Sequence, residues 1–292
     1  MNLIIQTLID GIMLGGVLSL AAAGFSLIFG VMNVISLAHG AMVVIGAYLG
    51  YVSWSFLGVD PMIMIPVVMV VMFALGYGIQ RTIIQWAVVR AAPVASLVVT
   101  FGLALVLRNT LDLVFSPDIR SVSPAYAFMN TGIGFITVDV VRLVGLGASL
   151  CLLVFLAVLL NRTAFGRIIR ATAQQPHAAE LCAINVQHVY GLTFAVGSAF
   201  AGVAGVIIGI IMPFSPHAEG HWTLNAFVVV VLGGVGSPAG ALIGGLMLGL
   251  IVTFTAQFIG PGFTNAMMFL ILVLMLILRP EGLLGHAFGE SR

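Results

Sequence analysis

The chain has 292 residues, of which 61% are hydrophobic and 7% charged, and its formal net charge is +1. A soluble domain carries about 25% charged residues, so most of this surface must face lipid or other apolar protein, and the near-zero balance gives no basis for a nucleic-acid partner. All ten basic residues are Arg; a P-loop needs a Lys on the transferred phosphate, so any nucleotide-driven work must come from another chain.

Transmembrane barrels alternate apolar and polar positions, whereas these segments are apolar on every face. The expected fold is all-α and polytopic, one transmembrane domain over residues 1–292. A span needs about 20 apolar residues. Apolar segments lie near 5–29, 41–57, 61–80, 94–115, 141–160, 187–211, 223–256 and 262–279, eight in all, some of them broken. The first is too long for a signal peptide, lacks a basic start and carries Asp10, so it is expected to be retained.

Basic residues near span ends set orientation. Arg81 and Arg90 share one loop, Arg162, Arg167 and Arg170 another, and Arg279 ends the last span. Placing all of them on the cytoplasmic side gives a consistent alternation from residue 61 to residue 211. Arg120 and Arg142 then lie outside, beside Asp118 and Asp139. Arg108 and Asp112, four apart on one helix face, are expected to pair with each other, as an interfacial ion pair rather than a substrate site.

Two segments are interrupted. In VMNVISLAHGAMVVIGAYLG (31–50) the polar Asn33, Ser36 and His39 precede Gly40; in the second, LGGVGSPAG (232–240), Gly233, Gly234, Gly236, Ser237 and Pro238 break the run. The apolar run 223–256 is short for two full spans, so a re-entrant turn or two short passes is expected there. Both interruptions are followed by Gly-Ala and by small residues four apart: Gly46 and Gly50, Gly240 and Gly244, Gly245 and Gly249. That spacing lets helix backbones approach closely. The likeness of the two segments is short and Gly-rich, compatible with chance composition as well as with a repeat. These polar and glycine residues either cap helix ends or line a route through the membrane, where broken helices expose backbone groups.

The loop 161–186, NRTAFGRIIRATAQQPHAAELCAINV, permits a short amphipathic helix up to Pro176. A second is expected over Ala178–Ala183 with Glu180 in its first turn. Its length and amphipathic composition point to a docking surface rather than a plain positive-inside loop. Cys151 falls in an apolar segment and Cys182 in this loop, which disfavours a disulfide framework. His217, Glu219 and His221 sit among Pro213, Pro216 and Gly220, where a helix is not expected, so a metal site there is disfavoured.

The loop together with the following span resembles LivH-type permeases of branched-chain amino acid ABC importers, which carry an R-x-x-x-G-R-x-x-R-A element, a Leu-Gly-Ile-Asn turn and a span ending A-G-x-A-G. NVISLAHG, VVLGGVGSPAGALIGG, TFGLALVLRN (100–109) and RPEGLLG (279–285) are similar to further motifs of that family, in the same order. Three departures stand out: Cys182-Ala183-Ile184 replaces the Leu-Gly-Ile turn, Gln174 and Gln175 precede Pro176 without an acidic residue, and Val89-Arg90-Ala91-Ala92-Pro93 is reordered.

The resemblance implies a permease subunit with no catalytic residues and no bound cofactor. It would stand beside a second, LivM-like permease in the bacterial inner membrane. Two cytoplasmic ATPases (LivG/LivF-like) using ATP-Mg and a periplasmic solute-binding protein would be its other partners. Within the coupling loop 161–186, whose segment 163–185 would press into the ATPase, Arg162, Gly166, Arg167, Arg170, Ala171, Glu180, Ile184 and Asn185 would be the coupling residues, with Gly166 permitting close approach to the ATPase. The solute would be a branched-chain amino acid or a similar small organic molecule. The alternative, an ion-coupled secondary transporter, needs a mid-membrane carboxylate, for which Asp10 is the sole candidate.

Overall fold

The computed structural model describes residues 2–86, 93–128, 130–133, 136–279 and 281–284; Arg90 and its reordered neighbours 89–92, with Pro280 and Gly285, lie outside them. Among these residues the chain forms eleven α-helices: α1 (Asn2–Met32), α2 (His39–Ser55), α3 (Ile65–Ile79), α4 (Pro93–Phe115), α5 (Val140–Arg162), α6 (Ala164–Gln174), α7 (Pro176–Leu181), α8 (Val186–Ile211), α9 (Glu219–Gly233), α10 (Pro238–Phe258) and α11 (Thr264–Leu278). A π turn over Gln80–Ile84 prolongs α3. The all-α polytopic expectation holds.

Seven of the helices are long and apolar enough to cross a membrane: α1, α3 with its π turn, α4, α5, α8, α10 and α11. The eight expected segments therefore do not become eight full spans. Helix α2 has 17 residues and α9 has 15, about 25 and 22 Å at 1.5 Å per residue, against a hydrocarbon core of about 30 Å. The run 223–256 resolves into α9 and α10, joined at 234–237. Gly240 lies on Gly233 and Gly244 on Val229, so the two form an antiparallel hairpin.

Apolar side chains cannot sort these helices into a core, because lipid is as apolar as Leu; close backbone approach does it instead. In α1 and α8, 83% and 89% of the most apolar window is buried, against 11% for the span ending in α11. The two central helices touch where Gly24 faces Gly197, and a Cβ on either would strike the other's backbone carbonyl. Helix α2 meets α8 in the same way through Gly46 on Gly202, while α10 meets α1 through Gly245 on Ser19 and Gly249 on Gly11 and Gly15. The four-residue glycine spacing in the sequence marks these crossings.

Polar caps fix the helix starts. Asp139 accepts from Val141 and Arg142 N at the start of α5, Thr163 from Gly166 N at α6, Asn185 from His188 N at α8, and Ser237 from Gly240 N at α10; each satisfies at least one orphan donor. The connection 116–139 adds what the sequence reading lacked: a 3₁₀ turn at Ala125–Phe128 and a two-stranded antiparallel hairpin pairing Asn130–Ile133 with Ile136–Asp139. Tyr126 donates to Asp60 Oδ1 at 2.7 Å across two loops; burial and that carboxylate push its hydroxyl pKa up.

Asp10 lies 3.8 Å from Arg142 at the start of α5, and Gly11 faces Leu250 and Thr253 of α10. Helix α1 thus begins at the end of the bundle opposite α6–α7, which follow the last turn of α5. With the Arg81, Arg162 and Arg167 end taken as cytoplasmic, α1 starts on the outer side.

Candidate functional site: two helix breaks on one helix, and the arginine loop

Helix α1 stops at Met32 because Asn33 takes φ 51°, a left-handed conformation that Asn tolerates better than most residues. Its side chain is exposed, whereas Ser36 and His39 are buried. The backbone freed over 33–38 is held by threonines from elsewhere. Leu37 N donates to Thr100 Oγ1 of α4 at 3.3 Å, and Thr223 Oγ1 of α9 lies 3.2 Å from the Leu37 carbonyl. His39 Nε2 is 2.8 Å from the Ala21 carbonyl; a carbonyl only accepts, so Nε2 carries the proton. His39 Nδ1 and Ser36 Oγ have no hydrogen-bond partner among the described residues. Gly40 N donates to Thr223 Oγ1 at 2.9 Å, and the place of its missing Cβ is filled by Glu219 and Thr223.

The second break needs glycine in the strict sense: Gly234 has φ 103° and Gly236 φ 78°, regions costly for any residue with a Cβ. Gly236 N donates to Ser26 Oγ at 2.9 Å. Ser237 and Pro238 form the start of α10, as N-cap and first helical residue, the places where Ser and Pro fit best. The last carbonyls of α9 are taken by the chain's far end, Leu283 N on Leu232 O at 3.0 Å and Leu284 N on Gly233 O at 3.2 Å. Gly282 (φ 76°) lies directly against Gly234.

Both breaks meet the same stretch of α1. One is tied to Ala21 and the other to Ser26, about 7.5 Å apart along the axis. Phe25 stands between them, edge-on to His39 at 5.3 Å and to Phe227 of α9 at 6.4 Å. The wall they form is polar in backbone and neutral in side chain. The sequence reading missed Ser26, Thr100 and Thr223. Ser19 and Ser26 are seven apart on α1, hence on one face, and Ser19 likewise contacts the Leu242 carbonyl at 3.1 Å; that spacing was the available signal.

In the arginine loop, α6 turns Gly166, Ile169 and Thr172 inward and Arg162, Arg167 and Ala171 outward or beside it. The space a Gly166 Cβ would take holds the Leu159 and Leu160 carbonyls, so its close approach is to this chain's own α5. Arg170 donates to the same Leu160 carbonyl. Arg167 lies on the exposed face. Helix α7 starts at Pro176, two residues earlier than expected, so Glu180 is its next-to-last residue and the first-turn expectation fails. Glu180, Asn185 and the 88% exposed Leu181 face outward, while Ile184 is half-buried.

Two further expectations need correction. Arg108 does not pair with Asp112: its Nη1 is 3.2 Å from Glu219 Oε1, and Asp112 faces His217 at 3.8 Å. A helix does form over Glu219 and His221, since α9 begins at Glu219, but the three residues part to Arg108, Asp112 and Asn225. No group of three metal-ligating side chains occurs among the described residues. Asp10 is held by Arg142 and by Gln6 Nε2 at 3.2 Å.

The profile of a family described as "Branched-chain amino acid transport system / permease component" matches residues 7–278. The chain is 28% identical over 306 residues to the high-affinity branched-chain amino acid transport system permease protein BraD of Pseudomonas aeruginosa, covering 98% of this chain and 97% of the relative. It is also 28% identical to LivH of Escherichia coli over 304 residues, with the same coverage, and 26% identical to a probable LivH of Methanocaldococcus jannaschii over 285 residues, 94% of this chain and 90% of that one. No solved structure gives a significant match. With the profile spanning nearly the whole bundle and the relatives aligned end to end, this multi-pass membrane chain belongs to the family of permease components of branched-chain amino acid transport systems.

Proposed function

We propose that the chain is one permease subunit of an ATP-binding-cassette importer in the bacterial inner membrane, conducting a branched-chain amino acid or a similar small organic solute. The solute is handed over by a periplasmic binding protein, and a second, LivM-like permease completes the pathway. Two LivG/LivF-like ATPases use ATP-Mg on the cytoplasmic side. The observation that carries this reading is the α6–α7 elbow. It presents Arg167, Glu180 and Leu181 outward beyond the apolar spans, a mixed charged and apolar face suited to a protein groove. The chain itself has no Lys for a P-loop.

The elbow is joined to the spans at both ends. Gly166 and Arg170 tie α6 to the last turn of α5, and Asn185 caps α8 immediately after α7. A push from closing ATPases therefore reaches α5 and α8 directly. Helix α8 packs on α1 at Gly24 and Gly197, and α1 holds both breaks through Ala21 and Ser26. Rocking of α8 against α1 shifts the two breaks together, which is the motion that alternating access requires.

Arg167→Glu tests the docking role without touching the α5–α6 joint. In proteoliposomes holding the full transporter, this variant is expected to insert and assemble with the second permease, yet to lose at least tenfold in ATP-driven uptake. Uptake equal to that of the unaltered protein would overturn the proposal.

A further inference from the structure

Arg108 and Asp112 lie seven and three residues before the end of α4 at Phe115, about 10 and 5 Å inside the span. Ionisable groups at that depth are costly, and they persist where they pair with one another or face a route for solute. Here they do both. Arg108 Nη1 meets Glu219 Oε1 at 3.2 Å and Asp112 Oδ1 meets His217 Nε2 at 3.8 Å, so α4 is bridged twice to the chain leading into α9. The bridges leave capacity unused. Arg108 Nε, Asp112 Oδ1 and Glu219 Oε2 are shut off from solvent and have no hydrogen-bond partner among the described residues.

The side chains are only partly exposed, 29% for Arg108, 20% for Asp112 and 12% for Glu219. On its inner side it meets the first helix break. The Glu219 carbonyl accepts from Thr223 Oγ1 at 2.9 Å and covers Gly40, while Thr223 also bonds Gly40 N. A solute leaving the cluster inward would meet break one within a turn of α9.

We propose that Arg108, Asp112 and Glu219 form a binding site for the zwitterionic head of an amino acid, its carboxylate on the Arg108 guanidinium and its ammonium between the two carboxylates. One spare N–H donor and two spare carboxylate oxygens in a low-dielectric setting call for a ligand carrying both an acceptor and donors. A lone anion would face two carboxylates, and a lone cation would leave Arg108 Nε unanswered. The site rests on the importer reading above and adds to it a place where the permease itself holds the solute.

The test uses labelled L-leucine and the complete transporter in nanodiscs without its solute-binding protein. Two competitors keep the branched chain and drop one charge each: 4-methylpentanoate and 3-methylbutylamine. The unaltered protein is expected to bind leucine, with each competitor at least tenfold weaker. The double variant Arg108→Gln with Glu219→Gln removes both charges without leaving one unpaired, and is expected to bind leucine at least tenfold more weakly. Asp10→Asn with Arg142→Gln, a similar change elsewhere on the outer side, is expected to bind it normally. Should the first double variant fail to fold, Arg108→Lys keeps a charge beside Glu219 but loses the Nε donor, and is expected to weaken leucine at least threefold.

Equal leucine binding by the altered and unaltered proteins overturns the site, as does ATP-driven leucine uptake by an unaltered transporter that shows no binding. In both cases the importer reading stands. Absence of ATP-driven uptake by the unaltered, fully assembled transporter with its solute-binding protein instead sinks the amino-acid importer reading, and the site with it.

Discussion

Ala183 shows how much one residue's conformation carries. It follows α7 at φ 60°, and the bonds Ala183 N to Glu180 O at 2.9 Å and Ile184 N to Ala179 O at 3.1 Å make a Schellman closure. Glycine is the residue suited to that position, and the LivH-type turn that the loop resembles has it. An L residue in the left-handed region costs about 1–2 kcal/mol, partly offset by the larger backbone entropy that a glycine loses on folding, about 0.5–1 kcal/mol. Ala183 is exposed, so no packing is lost. Ala183→Gly should therefore raise the thermal midpoint of the purified protein by about 2 °C, read by differential scanning fluorimetry; a fall would show that the turn is not closed in this way. At this scale the sequence was partly legible. Asn33 and Ser237 could be recognised as residues that end and begin helices, because those preferences are local. That Thr100 and Thr223 hold the freed backbone could not be read, because the partner of a backbone N–H 63 or 183 residues away is fixed by packing.

At the scale of elements, the amphipathic loop helix and the small-residue crossings follow from periodicity, which is why α6 ends just before Pro176 as expected and Gly46 and Gly249 fall at helix contacts. Periodicity has no hold on the 223–256 run, which is apolar throughout. Its division into α9 and α10 depends on two glycines with positive φ and on Ser26, a residue of another helix. Ser26→Ala removes the acceptor of Gly236 N in a buried turn, where an unpaired donor costs about 1–3 kcal/mol. Hydrogen–deuterium exchange over 234–240 is expected to rise at least fivefold in that variant while exchange over 11–17, also on α1 against α10, stays unchanged. Unaltered exchange at 234–240 would mean that Ser26 does not hold the break. Glu180 failed as a first-turn acid for a similar reason: Pro176, already known to stop α6, also starts α7. One residue can serve as both terminator and N1, and sequence position alone does not say which.

For the whole molecule, the charged groups illustrate what a sequence withholds. Arg108 and Asp112 have the spacing to pair, yet each is taken by the segment leading into α9, more than 100 residues on. Arginine placement predicts the arrangement of sides, and the chain carries its own probe of it. Cys182 is an exposed free thiol just after α7, in water beyond the spans. Cys151 is also free and exposed, but it lies within α5, a candidate span, where a polar, membrane-impermeant maleimide has little access. A membrane-impermeant maleimide should therefore leave the chain unlabelled in intact spheroplasts and label it once, at Cys182, in inside-out vesicles. Binding of the ATPases to the α6–α7 elbow should slow that labelling several-fold, because Leu181 beside it is 88% exposed in the chain alone. Labelling of Cys182 from the outside would place the elbow on the wrong side of the membrane for any cytoplasmic motor, and unchanged labelling in the assembled complex would place the motor elsewhere on the chain.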